Sequence, residues 1–138
     1  MVDFAHNPDG YNGIKEFLKH IDSPYKLGLI AGTGDRRDED IRENGRIAAQ
    51  MFDHIMIRQE NHTRGRTKEE LVALVVEGIK EVDSSKSYEL IEGSNEESAL
   101  YAISKAKPGT FIVSLGDAID GAIEIVQNLL EKDRPGMI

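Results

Sequence analysis

Residues 26–59, KLGLIAGTGDRRDEDIRENGRIAAQMFDHIMIRQ, hold the reading on which the fold turns. The stretch opens with a short apolar run, Lys26–Ala31, and closes with a second, His54–Gln59. Between them Gly32-Thr33-Gly34-Asp35 reads as a turn, and a helix starts near Asp38 or Asp40. Ile41, Ile47, Ala48, Met51 and Phe52 form its expected buried stripe. Two strands joined through a helix make a parallel unit, because parallel neighbours need a crossover connection.

The same alternation extends in both directions. Upstream, Val2–Ala5 is a truncated apolar fragment that runs into His6-Asn7-Pro8-Asp9-Gly10, a turn and helix start. Ile14, Phe17, Leu18 and Ile21 follow at helical spacing, and Ser23-Pro24 breaks that helix. Downstream, Thr67 and Glu70 form a capping box ahead of the stripe Leu71, Leu74, Val75, Ile79 and Val82. Tyr88–Ile91 reads as a strand, and Ser94 with Glu97 as a second capping box. Leu100, Ile103 and Ala106 supply the apolar face of the next helix, which Lys107-Pro108-Gly109 ends. Thr110–Leu115 is a near-continuous apolar strand, the kind buried on both faces. A last helix starts at Asp117 or Asp120 with Ile119, Ile123, Val126 and Leu130 inward, and residues 133–138 form a frayed tail. The expected fold is α/β, a three-layer αβα sandwich around a mainly parallel sheet. Residues 1–138 make one domain. The clipped first strand suggests a domain excised from a longer protein.

Composition narrows the function classes. Seventeen basic against 25 acidic residues leave a net charge of −8, which argues against a dedicated nucleic-acid binder. The chain has no cysteine, so disulfides, thiolate metal sites and cysteine nucleophiles are excluded. No apolar run is long enough to span a bilayer, and the opening residues do not read as a signal peptide. The expected compartment is the cytoplasm, with no membrane partner.

Ligands in open α/β sheets bind at the carboxyl ends of the strands, and three polar clusters fall there. The first is Asp3 with His6 and Asn7, at a helix start whose N–H groups favour anions. Capping by Asn7 or Asp9 explains most of that cluster but not His6. The second is Gly32–Asp38, where the glycines permit close backbone approach and Arg36 and Arg37 could fork onto oxyanions. A solvated turn with arginine–aspartate pairs accounts for it equally well. The third is Glu60–Arg66, where Arg64 and Arg66 flank Gly65 in an anion site or an ordinary basic loop. A metal reading of Asp3, His6, Asp35, Asp38, Asn61 and His62 fails on spacing. Aspartate and histidine are three apart where one strand face needs two, and no histidine follows His62. No phosphate-gripping Gly-x-x-x-x-Gly-Lys-Ser/Thr occurs.

Taken in order, these motifs resemble the C-terminal domain of the Mur ligase family, and within it the cyanophycin synthetases. The family opens this domain with Asp-Tyr-Ala-His-Asn-Pro, and this chain has Asp3-Phe4-Ala5-His6-Asn7-Pro8. Gly34–Asp40 is similar to the Gly-Asp-Arg-Arg-Asp-Glu-Asp of the cyanophycin group, Arg64-Gly65-Arg66 to its Arg-Gly-Arg loop, and Ala48–Asp53 to its Phe-Asp helix end. The likeness covers most of residues 2–82. It implies a Rossmann-like lid over an ATP-dependent amide ligase, in which a phosphorylated carboxylate is attacked by an amine. It further implies that ATP and Mg2+ are held mainly by an upstream central domain, so no catalytic residue is assigned here and the chain is inactive alone. By resemblance, Asp3, His6, Asn7, Gly34, Asp35 and Arg36 face ATP or the acyl phosphate. Arg37, Arg64 and Arg66 face the substrates, an amino acid such as arginine and a carboxylate-bearing peptide or polymer. Asp38-Glu39-Asp40 could hold a cationic substrate but is read first as a helix cap. The alternative is a free-standing interaction or regulatory subunit on the same fold.

Overall fold

The computed structural model describes residues 2–3, 7–31, 37–59, 65, 67–92 and 95–115. Its elements alternate as expected: β1 (Val2–Asp3), α1 (Pro8–Leu18), β2 (Tyr25–Ile30), α2 (Asp38–Met51), β3 (His54–Arg58), α3 (Lys68–Val82), β4 (Ser87–Ile91), α4 (Asn95–Ser104) and β5 (Thr110–Leu115). The five strands form one sheet in the order β1-β5-β2-β3-β4, and every pairing is parallel. Leu27 to Ile30 of β2 lie opposite His54 to Ile57 of β3, and Tyr25 to Leu29 opposite Thr110 to Ser114 of β5. The expected last helix and the tail lie outside the described residues.

Crossover handedness decides which face each helix covers. The chain moves in one direction across the sheet from β1 to β2, β3 and β4, so right-handed crossovers put α1, α2 and α3 on one face. The return from β4 to β5 puts α4 on the other. The core divides the same way. Tyr11, Ile14 and Leu18 of α1 pack with Ile41, Ile47 and Ala48 of α2, Leu71, Val75 and Ile79 of α3, and the strand residues Ile30, Ile55, Ile57, Val113 and Leu115. A smaller cluster holds Leu27, Leu29, Met56 and Ile91 against Ala102 of α4. The two clusters are the alternate faces of the same strands. Among the described residues no helix is long and apolar enough to cross a membrane.

Five side chains depart from the expected stripes. Phe17 is 46% exposed, because it lies about a quarter-turn round α1 from the Tyr11–Ile14–Leu18 line. Leu100 is 49% exposed, and Ser98, Ala99 and Ala102 face the sheet instead. Small side chains let α4 sit close on the strands, which turns Leu100 outward. Ala106 lies beyond the end of α4 and is exposed. Val82 is 41% exposed at the last residue of α3, where the helix leaves its neighbours. Phe52 is buried, but from the C-cap position just beyond α2.

α2 and α3 meet through Gly45 and Gly78. A β-carbon at Gly45 would overlap the carbonyl oxygen of Val75, and one at Gly78 the carbonyl oxygen of Arg42. An ion-pair seam borders this contact. Arg42 Nε donates to Glu77 Oε2 at 2.8 Å, and Arg46 bonds Glu39, Glu43 and Glu81. The hydrogen bond from Arg46 holds the Glu39 carboxyl below its ordinary value of 4.5. A depressed carboxylate contributes stability above its unfolded pKa and loses it as pH falls through the folded one. Arg46→Gln is therefore expected to flatten the acid limb of a stability–pH curve below about pH 4.5. Identical acid limbs in urea titrations of the two proteins would show that the seam does not contribute.

Candidate functional site

A fully parallel sheet sends all its strands to one carboxyl edge. β1 ends there at Asp3, β2 at Ile30, β3 at Arg58 and β5 at Leu115. The register aligns these ends: Asp3 lies opposite Leu115 and Ile30 opposite Ile57. The connections after β1, β2 and β3 therefore all leave from this edge, and they carry the three polar clusters. β5 separates β1 from β2, so the first cluster starts about 10 Å across the sheet from the second.

Asp3 is placed by its backbone at the end of β1. His6, Gly34, Asp35, Arg36, Arg64 and Arg66 lie outside the described residues. Asn7 is the N-cap of α1. Its backbone is extended at φ −130°, its Oδ1 accepts the Gly10 N–H at 2.8 Å, and Pro8 takes the first helical position. The sequence favours this arrangement, since Pro lacks the N–H that would be unpaired there. Arg37 occupies the N-cap position of α2 without a side-chain cap bond. Its guanidinium turns back onto Asp40, with Nε at 3.0 Å and Nη2 at 3.2 Å from the carboxylate. The acidic run is likewise engaged: Glu39 takes Arg46 at 2.8 Å. Acids in the first turn of α2 complement the positive end of the helix.

Thr67 caps α3, its hydroxyl oxygen accepting the Glu70 N–H at 3.0 Å. Between the starts of α2 and α3 lies a depression of about 260 Å³, lined by Asp38, Glu70, Ala73 and Leu74. Two carboxylates over an apolar floor suit an alkyl chain ending in a cation. At the opposite edge, Lys15, Leu18, Lys19, Lys26, Gln50 and Met51 line a depression of about 300 Å³. Lys26 Nζ reaches from β2 to donate to the Leu18 carbonyl at the end of α1 at 3.0 Å, while Lys15 bonds Gln50 and Lys19 bonds Glu16. The Lys26 cation thus answers a carbonyl at the negative end of α1, and the other two lysines are engaged with side chains.

Two buried polar residues near the carboxyl edge were not singled out by sequence reasoning. Arg58, the last residue of β3, is 7% exposed, and Tyr11 in α1 is 1% exposed. Burial pushes the Tyr11 phenol far above its ordinary value of 10.0, and the positive charge of Arg58 partly opposes the shift. The available signal was a cation closing an otherwise apolar run, Ile55-Met56-Ile57-Arg58.

The sequence matches the family described as Mur ligase, glutamate ligase domain, over residues 1–118. A cyanophycin synthetase of Crocosphaera subtropica is 36% identical over 126 residues, covering 91% of this chain and 14% of that protein. The chain thus spans about a seventh of the length of such a relative. Among solved structures, a UDP-N-acetylmuramoyl-L-alanyl-D-glutamate–2,6-diaminopimelate ligase superposes with a TM-score of 0.66 at 21% identity, over 84% of this chain and 23% of that one. A folylpolyglutamate synthase of Mycobacterium tuberculosis, complexed with ADP, gives 0.62 at 21% identity, over 91% of this chain and 29% of that one.

Proposed function

The chain belongs to the Mur ligase family, through its glutamate ligase domain, and from that premise we propose that it is the lid of an ATP-dependent amide ligase. The observation that carries the reading is the common carboxyl edge, from which the loops bearing Asp3–Asn7, Gly34–Arg37 and Arg64–Arg66 all leave. The lid role assigns Asp3, His6, Asn7, Gly34, Asp35 and Arg36 to ATP and the acyl phosphate, and Arg37, Arg64 and Arg66 to the substrates. The folylpolyglutamate synthase with the same fold is complexed with ADP, which supports the use of a nucleotide.

The residues present fit an anionic ligand. The start of α1 brings the partial positive charge of its helix dipole to the carboxyl edge. Mg2+ belongs to the upstream central domain in this reading. Among the described residues no three His, Asp or Glu side chains gather as a metal site. ATP supplies the phosphoryl group that activates a carboxylate. The chain's own contribution is to position the reactants and keep water from the activated acid. Arg37 Nε and Nη2 are engaged by Asp40, so a substrate contact from Arg37 uses its remaining N–H donors or opens that exposed ion pair. The incoming amine is proposed to be a cationic amino acid such as arginine. The acidic depression beside Asp38 and Glu70 supports that choice, as does the cyanophycin synthetase likeness. The acceptor is a carboxylate-bearing peptide or polymer, and the compartment the cytoplasm.

The test is a nucleotide titration followed by amide chemical shifts. Shifts gathered at residues 7–10, 31–40 and 59–67 support the lid, whereas a silent spectrum favours an interaction subunit. Asn7→Asp separates capping from binding. Aspartate caps as well as asparagine, so stability should stay within about 0.5 kcal/mol. The added negative charge should weaken nucleotide binding by about tenfold, a Coulomb cost of ordinary size a few ångströms from a phosphate. Undiminished binding would leave Asn7 a cap and nothing more.

A further inference from the structure

Arg58 is the one charged residue of a strand whose interior is otherwise apolar. Ile55, Met56 and Ile57 before it are fully buried, and Arg58 itself is 7% exposed. Taking a guanidinium out of water costs several kcal/mol before any compensation. The residue is also held firmly. It pairs in register with Ile91 of β4, and the next N–H, that of Gln59, donates to the Ile91 carbonyl at 3.1 Å. The strand thus keeps its course to its last residue and delivers the cation to the carboxyl edge.

The surroundings favour negative charge. The start of α1 lies at the same edge, and the helix dipole gives it a partial positive charge. Arg58 already engages neighbours, yet a guanidinium has five N–H donors in a fixed fork and can serve several acceptors. That fork matches the paired oxygens of a carboxylate or phosphoryl group better than an ammonium does.

We propose that Arg58 is an oxyanion anchor at the carboxyl edge, holding a carboxylate or phosphoryl group of the ligand through its guanidinium. The assignment deepens the lid reading and rests on it for the identity of the edge. It adds a specificity residue outside the three motif loops.

The experiment follows the Arg58 Nε–Hε resonance of this chain during separate titrations with pyrophosphate and with succinate. A saturable shift with pyrophosphate assigns a phosphoryl group, and one with succinate a carboxylate. Arg58→Gln should then weaken that response, read at the α1 amides, by about tenfold or more. Should the variant fail to fold, the wild-type resonance decides alone. An Arg58 resonance unmoved by both probes overturns the anchor, as does undiminished binding by a folded Arg58→Gln. Failure of the two readings is distinguishable. ATP that shifts residues 7–10 and 31–40 while Arg58 stays still keeps the lid and removes the anchor. Arg58 responding to pyrophosphate with no response to ATP does the reverse.

Discussion

Gly78→Ala is expected to destabilise the chain by at least about 3 kcal/mol, the upper part of the range for overpacked cores. Helix propensity alone gives the opposite sign. Gly78 lies inside α3, and alanine in a helix interior is favoured over glycine by about 1 kcal/mol. Contact geometry overrides that gain. The new β-carbon would overlap the Arg42 carbonyl carbon and oxygen and crowd the Arg46 nitrogen, all of them backbone atoms of α2. Backbone cannot rotate away as a side chain would, so α2 and α3 must separate. Separation loosens Ile41, Ile47, Leu71, Val75 and Ile79 in the main core. The ion pairs Arg42–Glu77 and Arg46–Glu81 cannot hold the helices together, since both are partly exposed and weak on that account. Gly13→Ala is the matched control. Gly13 lies inside α1 with nothing within 4 Å of its added carbon, so the same substitution should stabilise by roughly 0.5–1 kcal/mol. Urea unfolding of both variants reads the difference. A Gly78→Ala protein as stable as the parent would refute the close helix contact.

That contact marks a boundary of what the sequence discloses. The strands were readable because Lys26–Ala31, His54–Gln59 and Thr110–Leu115 are short apolar runs bounded by turn residues. Their parallel pairing followed from the helices between them. Helix faces were readable only where the stripe was unambiguous. The Leu71–Ile79 stripe is buried, but Phe17 and Leu100 are exposed, because a large side chain does not show which turn of a helix faces the sheet. In α4 the inward residues are Ser98, Ala99 and Ala102, chosen by closeness of approach rather than by hydrophobicity. Gly45 and Gly78 were silent for the same reason: a glycine in a helix names no partner. At the candidate site, the cap at Asn7 and the acid-rich start of α2 were visible as local chemistry, since their partners lie three residues away. Arg58 was not. Its burial depends on strands distant in sequence, and reading His54–Gln59 as a strand does not tell which of its residues the neighbours cover.

Alkaline unfolding should single out Tyr11. Its phenol is raised above the ordinary value of 10.0 chiefly by burial, so the folded chain keeps the proton where the unfolded chain releases it. For a group raised on folding, the contribution is fully present below the unfolded pKa and is lost as pH climbs toward the folded one. Stability is therefore expected to fall above about pH 10, by roughly 1.4 kcal/mol for each further pH unit. Tyr11→Phe keeps the ring in the core beside Ile14 and Leu18 and removes the ionisation. Near neutral pH the two proteins should differ by only about 1 kcal/mol, the scale of one hydroxyl's interactions. Above pH 10 the curves should cross the same interval with different slopes, the variant falling less steeply. Tyr101 is also raised, through its hydrogen bond to Glu89, but it titrates in both proteins and cancels in the difference. Burial sets the upper end of the window and Arg58 lowers it, since its charge favours the phenolate. Parallel curves from neutrality to about pH 11.5 would mean that Tyr11 ionises as freely folded as unfolded. The phenol would then be open to water, and the sealed interior beside the carboxyl edge, on which the Arg58 anchor depends, would not exist.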